Sequence, residues 1–188
     1  MRFFAAEKGI PLQLESICIA NNEHLQPNFI AINRVSELPV LELDDGTRIT
    51  ESLAICRFLE AQQPEPNLLG RSALERAQIE QWTLRLMFRL YVPLTQVYRN
   101  THPFWADRLT QVPPYGELAR SAVLAELTLL DAHMRGREFF AAERFTMADI
   151  VACTSIDFGK PSKIRIGPEH TELLRWHAST SARPAARS

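Results

Sequence analysis

The run Gln63-Pro64-Glu65-Pro66-Asn67 constrains this chain more than any other feature of its sequence. Its two prolines lack backbone N–H donors, so neither a helix nor a central strand continues through it. The segment has no apolar periodicity and reads as a linker over residues 64–71, between a unit over 1–63 and another over 72–188. The two sides follow different rules. Ahead of the linker, Val40-Leu41-Glu42-Leu43 and Thr47-Arg48-Ile49-Thr50 flank Asp44-Asp45-Gly46. An Asp-Gly pair between two short β-prone runs predicts a hairpin. Beyond the linker every strong signal is helical.

Within the first unit, Arg2–Lys8 reads as a helix stopped by Gly9, with Pro11 barring its continuation. Leu12, Leu14, Ile17 and Ile19 among polar residues predict a strand over Leu12–Ala20. A polar loop, Asn21-Asn22-Glu23-His24, leads to a short helix over Pro27–Ile32 with Pro27 in its first turn. After the hairpin, Ser52 precedes Leu53, Ala54, Ile55, Phe58 and Leu59 at helical spacing. The order of α and β elements followed by helices predicts an α+β chain of two units.

In the second unit, Ser72-Ala73-Leu74-Glu75 is a capping box, in which Ser72 accepts from the Glu75 N–H and the Glu75 carboxylate reaches back. The helix it opens is expected to run to about Tyr98, with Pro93 kinking or ending it. A loop rich in Pro and aromatics follows, from His102-Pro103-Phe104-Trp105 through Pro113-Pro114. Helices are then expected over Leu118–Met134, from the capping motif Thr146-Met147-Ala148-Asp149 onward, and around Leu173, Leu174 and Trp176. Thr146 and Asp149 are expected to serve folding by satisfying backbone donors.

Composition excludes several classes. Lys and Arg number 21 against 22 Asp and Glu, which leaves no cationic footprint for nucleic acid or an anionic membrane. No apolar run exceeds four residues, so neither a membrane span nor a secretory leader is expected. Cys18, Cys56 and Cys153 are too scattered for a CxxC motif and are expected to be buried reduced thiols. No H-x-x-x-H or Cys/His grouping is visible, and no metal is expected.

The motifs Leu38-Pro39-Val40-Leu41, Ile49-Thr50-Glu51-Ser52-Leu53-Ala54-Ile55 and Phe145-Thr146-Met147-Ala148-Asp149-Ile150, with Trp176 and Arg183-Pro184, together resemble the bacterial-type cytosolic glutathione transferases. The resemblance implies a thioredoxin-like domain followed by an all-α domain. It also implies that the family's first strand, with the loop bearing its catalytic Tyr, Ser or Cys, is missing ahead of Met1. No catalytic residue is therefore assigned. Asn33-Arg34-Val35-Ser36-Glu37 departs from the Asn-Pro-x-Gly usual in the family.

The same resemblance implies the binding residues. Glu51 and Ser52 would hold the γ-glutamyl end of glutathione, although Ser52 reads equally well as a plain N-cap. Leu38, ahead of a cis Pro39, would pair its backbone with the cysteinyl part. His24 would meet the glycyl carboxylate. Tyr91, Tyr98 and Trp105 stand either as lining for a hydrophobic substrate pocket or as core. The implied function is conjugation of the glutathione thiolate to small electrophiles, in detoxification, by a cytoplasmic homodimer. The alternative is a non-catalytic ligand-binding or adaptor protein on the same fold.

Overall fold

A computed structural model describes residues 1–187 and divides them into two compact units, Met1–Pro66 and Asn67–Arg187. The first begins with α1 (Arg2–Glu7), closed as the sequence anticipates. Gly9 takes φ 66° and its N–H donates to Ala6 O, while the Ile10 N–H donates to Ala5 O. This pairing satisfies the last carbonyls through a left-handed residue that only glycine adopts cheaply. Next come α2 (Pro27–Ile32), β1 (Val40–Glu42), β2 (Arg48–Thr50) and α3 (Ser52–Gln62). The strands pair antiparallel with Val40 opposite Thr50 and Glu42 opposite Arg48. The Glu42 carboxylate meets the Arg48 guanidinium at 2.7 Å. Gly46 takes φ 81° in the connecting turn, where the Thr47 N–H donates to Asp45 Oδ1 at 2.8 Å.

The strand expected over Leu12–Ala20 does not form. That stretch is irregular, and the sheet among the described residues has only β1 and β2. A strand needs a neighbour to take its backbone groups, however apt its side chains. Cys18 consequently sits exposed rather than buried, its N–H donating to Glu23 Oε2 at 2.6 Å.

An ion pair ties α1 to α3 inside this unit. The Lys8 ammonium, with no exposed side-chain surface, meets Glu60 Oε2 at 2.7 Å and donates to the Pro66 carbonyl at 2.9 Å. Lys8 Nζ also stands 5.6 Å from the centre of the Phe4 ring, and Phe4, Ile55 and Cys56 are buried in the same unit.

The second unit is helical throughout: α4 (Ala73–Leu86), α5 (Val92–Thr101), α6 (Pro113–Met134), α7 (Met147–Phe158) and α8 (Thr171–Ser181). The helix opened at Ser72 is interrupted ahead of Pro93, where a π-helical turn over Met87–Tyr91 joins α4 to α5. Helix α6 begins at Pro113, not Leu118, because a proline in the first turn lacks only an N–H that would be unpaired there anyway. At the start of α4 the Glu75 N–H donates to Ser72 Oγ at 3.1 Å. The Glu75 carboxylate reaches one residue further back than the box predicts, to the Arg71 N–H at 2.7 Å. Its other oxygen takes Arg144, which also binds the Asn67 carbonyl.

The core of this unit centres on Trp176, packed edge-on against Phe140 at 4.7 Å between ring centres, with both side chains buried. No helix among the described residues is long and apolar enough to cross a membrane.

Candidate functional site

The hairpin register decides which residues of the first unit meet. Val40 faces Thr50 in the last pair of the ladder, so Leu38-Pro39, just ahead of β1, and Glu51-Ser52, just after β2, both flank the same end of the hairpin. The Leu38–Pro39 peptide bond is cis. Sequence positions 12 to 14 residues apart are thus gathered at one end of a two-stranded sheet, where α3 begins.

At that end the backbone turns abruptly. Glu51 occupies the N-cap position of α3 with φ 67° and ψ 118°, a conformation rarely held by a residue with a side chain. No side chain caps the helix, although the Ile55 N–H reaches the Glu51 carbonyl at 3.0 Å. The earlier N–H groups of the first turn therefore point outward at the positive end of the helix dipole, an arrangement suited to an anion. Ser52 is the first helical residue and not the N-cap, so the plain capping reading of its hydroxyl is set aside. Glu51 is exposed and Ser52 half-buried.

His24 is carried separately, on a 3-10 turn over Glu23–Leu25 rather than in an open loop. It is half-buried, and its Nδ1 is shielded from solvent with no hydrogen-bond partner.

The aromatic candidates lie in the second unit and form a connected cluster. Tyr98 packs edge-on to Trp105 at 6.0 Å and to Phe158 at 5.7 Å, and Tyr91 meets Phe158 at 5.5 Å. All three candidates are half-buried. The Trp105 indole N–H is shielded without a hydrogen-bond partner, and the Arg99 guanidinium lies over its ring at 5.0 Å.

Two of the three thiols are held protonated. Burial pushes the Cys56 thiol above the usual range and the Cys153 thiol up to about 11. A nucleophilic cysteine needs the opposite shift, so neither is an activated thiol.

The fold, a small thioredoxin-like sheet with helices followed by an all-helical domain, is that of the glutathione transferases. The family description "Glutathione S-transferase, N-terminal domain" matches residues 1–62, and "Glutathione S-transferase, C-terminal domain" matches residues 94–184. Glutathione S-transferase 2 of Saccharomyces cerevisiae is 31% identical over all of this chain and 82% of its own length. The crystal structure of Gtt2 from Saccharomyces cerevisiae superposes with a TM-score of 0.93 at 30% identity, covering 99% of this chain and 91% of that one. A probable elongation factor 1-gamma 2 of Arabidopsis thaliana is 31% identical over 80% of this chain, but only 36% of its own length is spanned. The chain belongs to the glutathione S-transferase family.

Proposed function

We propose that this protein binds glutathione where the hairpin meets α3 and conjugates its thiolate to electrophilic small molecules. The observation that carries the reading is that Leu38-Pro39 and Glu51-Ser52 flank the Val40–Thr50 end of the hairpin, beside a helix start that no side chain caps. In this reading the first-turn N–H groups and the Ser52 hydroxyl take the γ-glutamyl carboxylate, and Glu51 takes the adjacent ammonium. The Leu38 backbone pairs with the cysteinyl segment as an added strand would. His24, whose shielded Nδ1 lacks a partner, takes the glycyl carboxylate. Within the second unit, the Tyr91, Tyr98 and Trp105 cluster offers an apolar surface suited to a hydrophobic small molecule. The protein acts in the cytoplasm as a homodimer, without a metal in this reaction.

The experiment is a calorimetric titration with reduced glutathione, paired with conjugation of an activated aromatic halide. Saturable binding and turnover are expected. Absence of binding overturns the assignment. A second reading, a ligand-binding or adaptor role, draws on the similarity to elongation factor 1-gamma. Tight glutathione binding with no turnover across a panel of electrophiles is the result that would favour it.

A further inference from the structure

Helices α7 and α8 each bring two polar side chains, one turn apart, to the face they share. On α7 these are Cys153 and Asp157, and on α8 His177 and Ser181; residues four apart lie on one side of a helix. His177 Nε2 stands 3.1 Å from Asp157 Oδ1 and 3.4 Å from Ser181 Oγ. Ser181 Oγ stands 3.7 Å from Cys153 Sγ. The donor atoms of Cys153, Asp157 and His177 all lie within 4.8 Å of one another.

We propose that Cys153, Asp157 and His177 form a binding site for a divalent transition metal, with zinc the best match. A sulfur, an imidazole nitrogen and a carboxylate oxygen are the three donor types zinc accepts. Donors about 2.0–2.3 Å from a tetrahedral zinc stand roughly 3.3–3.8 Å apart, so the observed cluster needs only a small contraction. The charges also match. A thiolate and a carboxylate neutralise the dication, which suits a place where Cys153 is only 2% exposed. Ion entry is open on the other side, where the Asp157 side chain is 40% exposed and that of His177 19%. Lys160 Nζ, at 2.7 Å from Asp157 Oδ1, is the competing cation; its side chain is 58% exposed and free to swing to solvent. Ser181 stands beside the open fourth position, where its hydroxyl can hold a metal-bound water.

Binding replaces the Cys153 S–H bond with a metal–sulfur bond and passes that proton to the buffer, with no change of oxidation state. The site is remote in sequence from the hairpin residues, and its function is to clamp α7 to α8.

The test is titration of the full chain, stripped with a chelator, with Co²⁺ alone. A single equivalent is expected to raise a near-ultraviolet thiolate-to-cobalt absorption and intense visible bands of tetrahedral cobalt, both erased by added Zn²⁺. His177→Ala and Asp157→Asn change partly exposed residues and should weaken binding at least roughly tenfold. Cys153→Ala should abolish the thiolate band, while Cys18→Ser should keep it. Zinc at about a hundred times the parent's Kd should lower the unfolding equilibrium constant of the parent roughly a hundredfold and that of His177→Ala by no more than roughly tenfold. The proposal falls if a folded parent binds no cobalt, or binds it without a thiolate band. It falls equally if His177→Ala binds cobalt as tightly as the parent or if the band disappears with Cys18→Ser.

Discussion

Asp149 Oδ1 accepts the indole N–H of Trp176 at 3.1 Å, across 27 residues of sequence and with both side chains fully buried. The same oxygen takes the Phe140 N–H at 3.0 Å, and the other takes the Thr146 N–H at 3.0 Å and its hydroxyl at 3.1 Å. One carboxylate thus caps α7, anchors α8 through Trp176 and fixes the loop that ends at Phe140.

Asp149→Ala is accordingly expected to destabilise the fold by about 3–5 kcal/mol. It strips several buried donors of their acceptor, and each unpaired buried donor costs about 1–3 kcal/mol less whatever relaxation recovers. Urea unfolding measures it. A loss below about 1 kcal/mol would mean that water replaces the carboxylate.

Burial raises the Asp149 carboxyl to about 6, against the opposing pull of its four donors. A carboxyl whose pKa is higher folded than unfolded binds more protons in the native state between the two values. Its contribution to stability is therefore full below the unfolded pKa of 3.8 and declines as pH rises to about 6. Lowering the pH from 7 to 5 should stabilise the parent by roughly 1 kcal/mol relative to Asp149→Asn, which does not titrate. Parallel pH-dependent melts of the two proteins provide the check. A constant difference over that interval would rule the shift out.

The Lys8–Glu60 pair yields a third expectation. Replacing Lys8 with Met leaves the Glu60 carboxylate in the interior without that ammonium, and the loss should be about 3–5 kcal/mol. The double change Lys8→Met with Glu60→Met should recover most of it, because two apolar side chains need no charge partner. Chemical denaturation of the two single variants and the double variant gives the coupling directly.

What the sequence could reveal depended on the range of the interaction. The hairpin, the Ser72 and Thr146 caps and the Gly9 stop rest on residues a few positions apart, and they formed. Leu12–Ala20 failed because its apolar alternation says nothing about whether a neighbouring strand is there to pair with. Lys8 with Glu60, and Asp149 with Trp176, are invisible along the chain because nothing local sets their partners. The same holds for the Cys153, Asp157 and His177 cluster: two ordinary i,i+4 pairs acquire meaning only when α7 and α8 pack. At the hairpin site, residue types suggested Glu51 and Ser52, but which of them caps α3 required the backbone.

That difference alters the expectation for Ser52→Ala. As the first helical residue, Ser52 provides no cap, so its removal should shift stability by less than the roughly 1 kcal/mol of a lost N-cap. A hydrogen bond to a charged group contributes about 1.5–3 kcal/mol, so glutathione affinity should fall roughly ten- to a hundredfold. Calorimetry and a thermal melt on the same preparation separate the two effects. An affinity equal to the parent's would remove Ser52 from the site.

Glu51 should show the reverse balance. Its φ of 67° strains a residue with a side chain, at a cost of about 1–3 kcal/mol. Glycine accepts positive φ freely but loses about 0.5–1 kcal/mol to the greater freedom of its unfolded chain. Glu51→Gly should therefore leave the fold about 1 kcal/mol more stable, as read from its urea midpoint. The same change removes the carboxylate that faces the ligand's ammonium in the proposed pose. Affinity for glutathione should drop about tenfold, since a charge-assisted pair at an exposed position contributes at the low end of its range. A glutathione analogue lacking the α-amino group isolates that interaction, because its affinity should be the same for parent and variant. If Glu51→Gly weakens both ligands alike, the residue shapes the turn and does not touch the ammonium. If it destabilises the fold, the positive φ is relieved by contacts of the Glu51 side chain, and the strained-turn account of this corner is wrong.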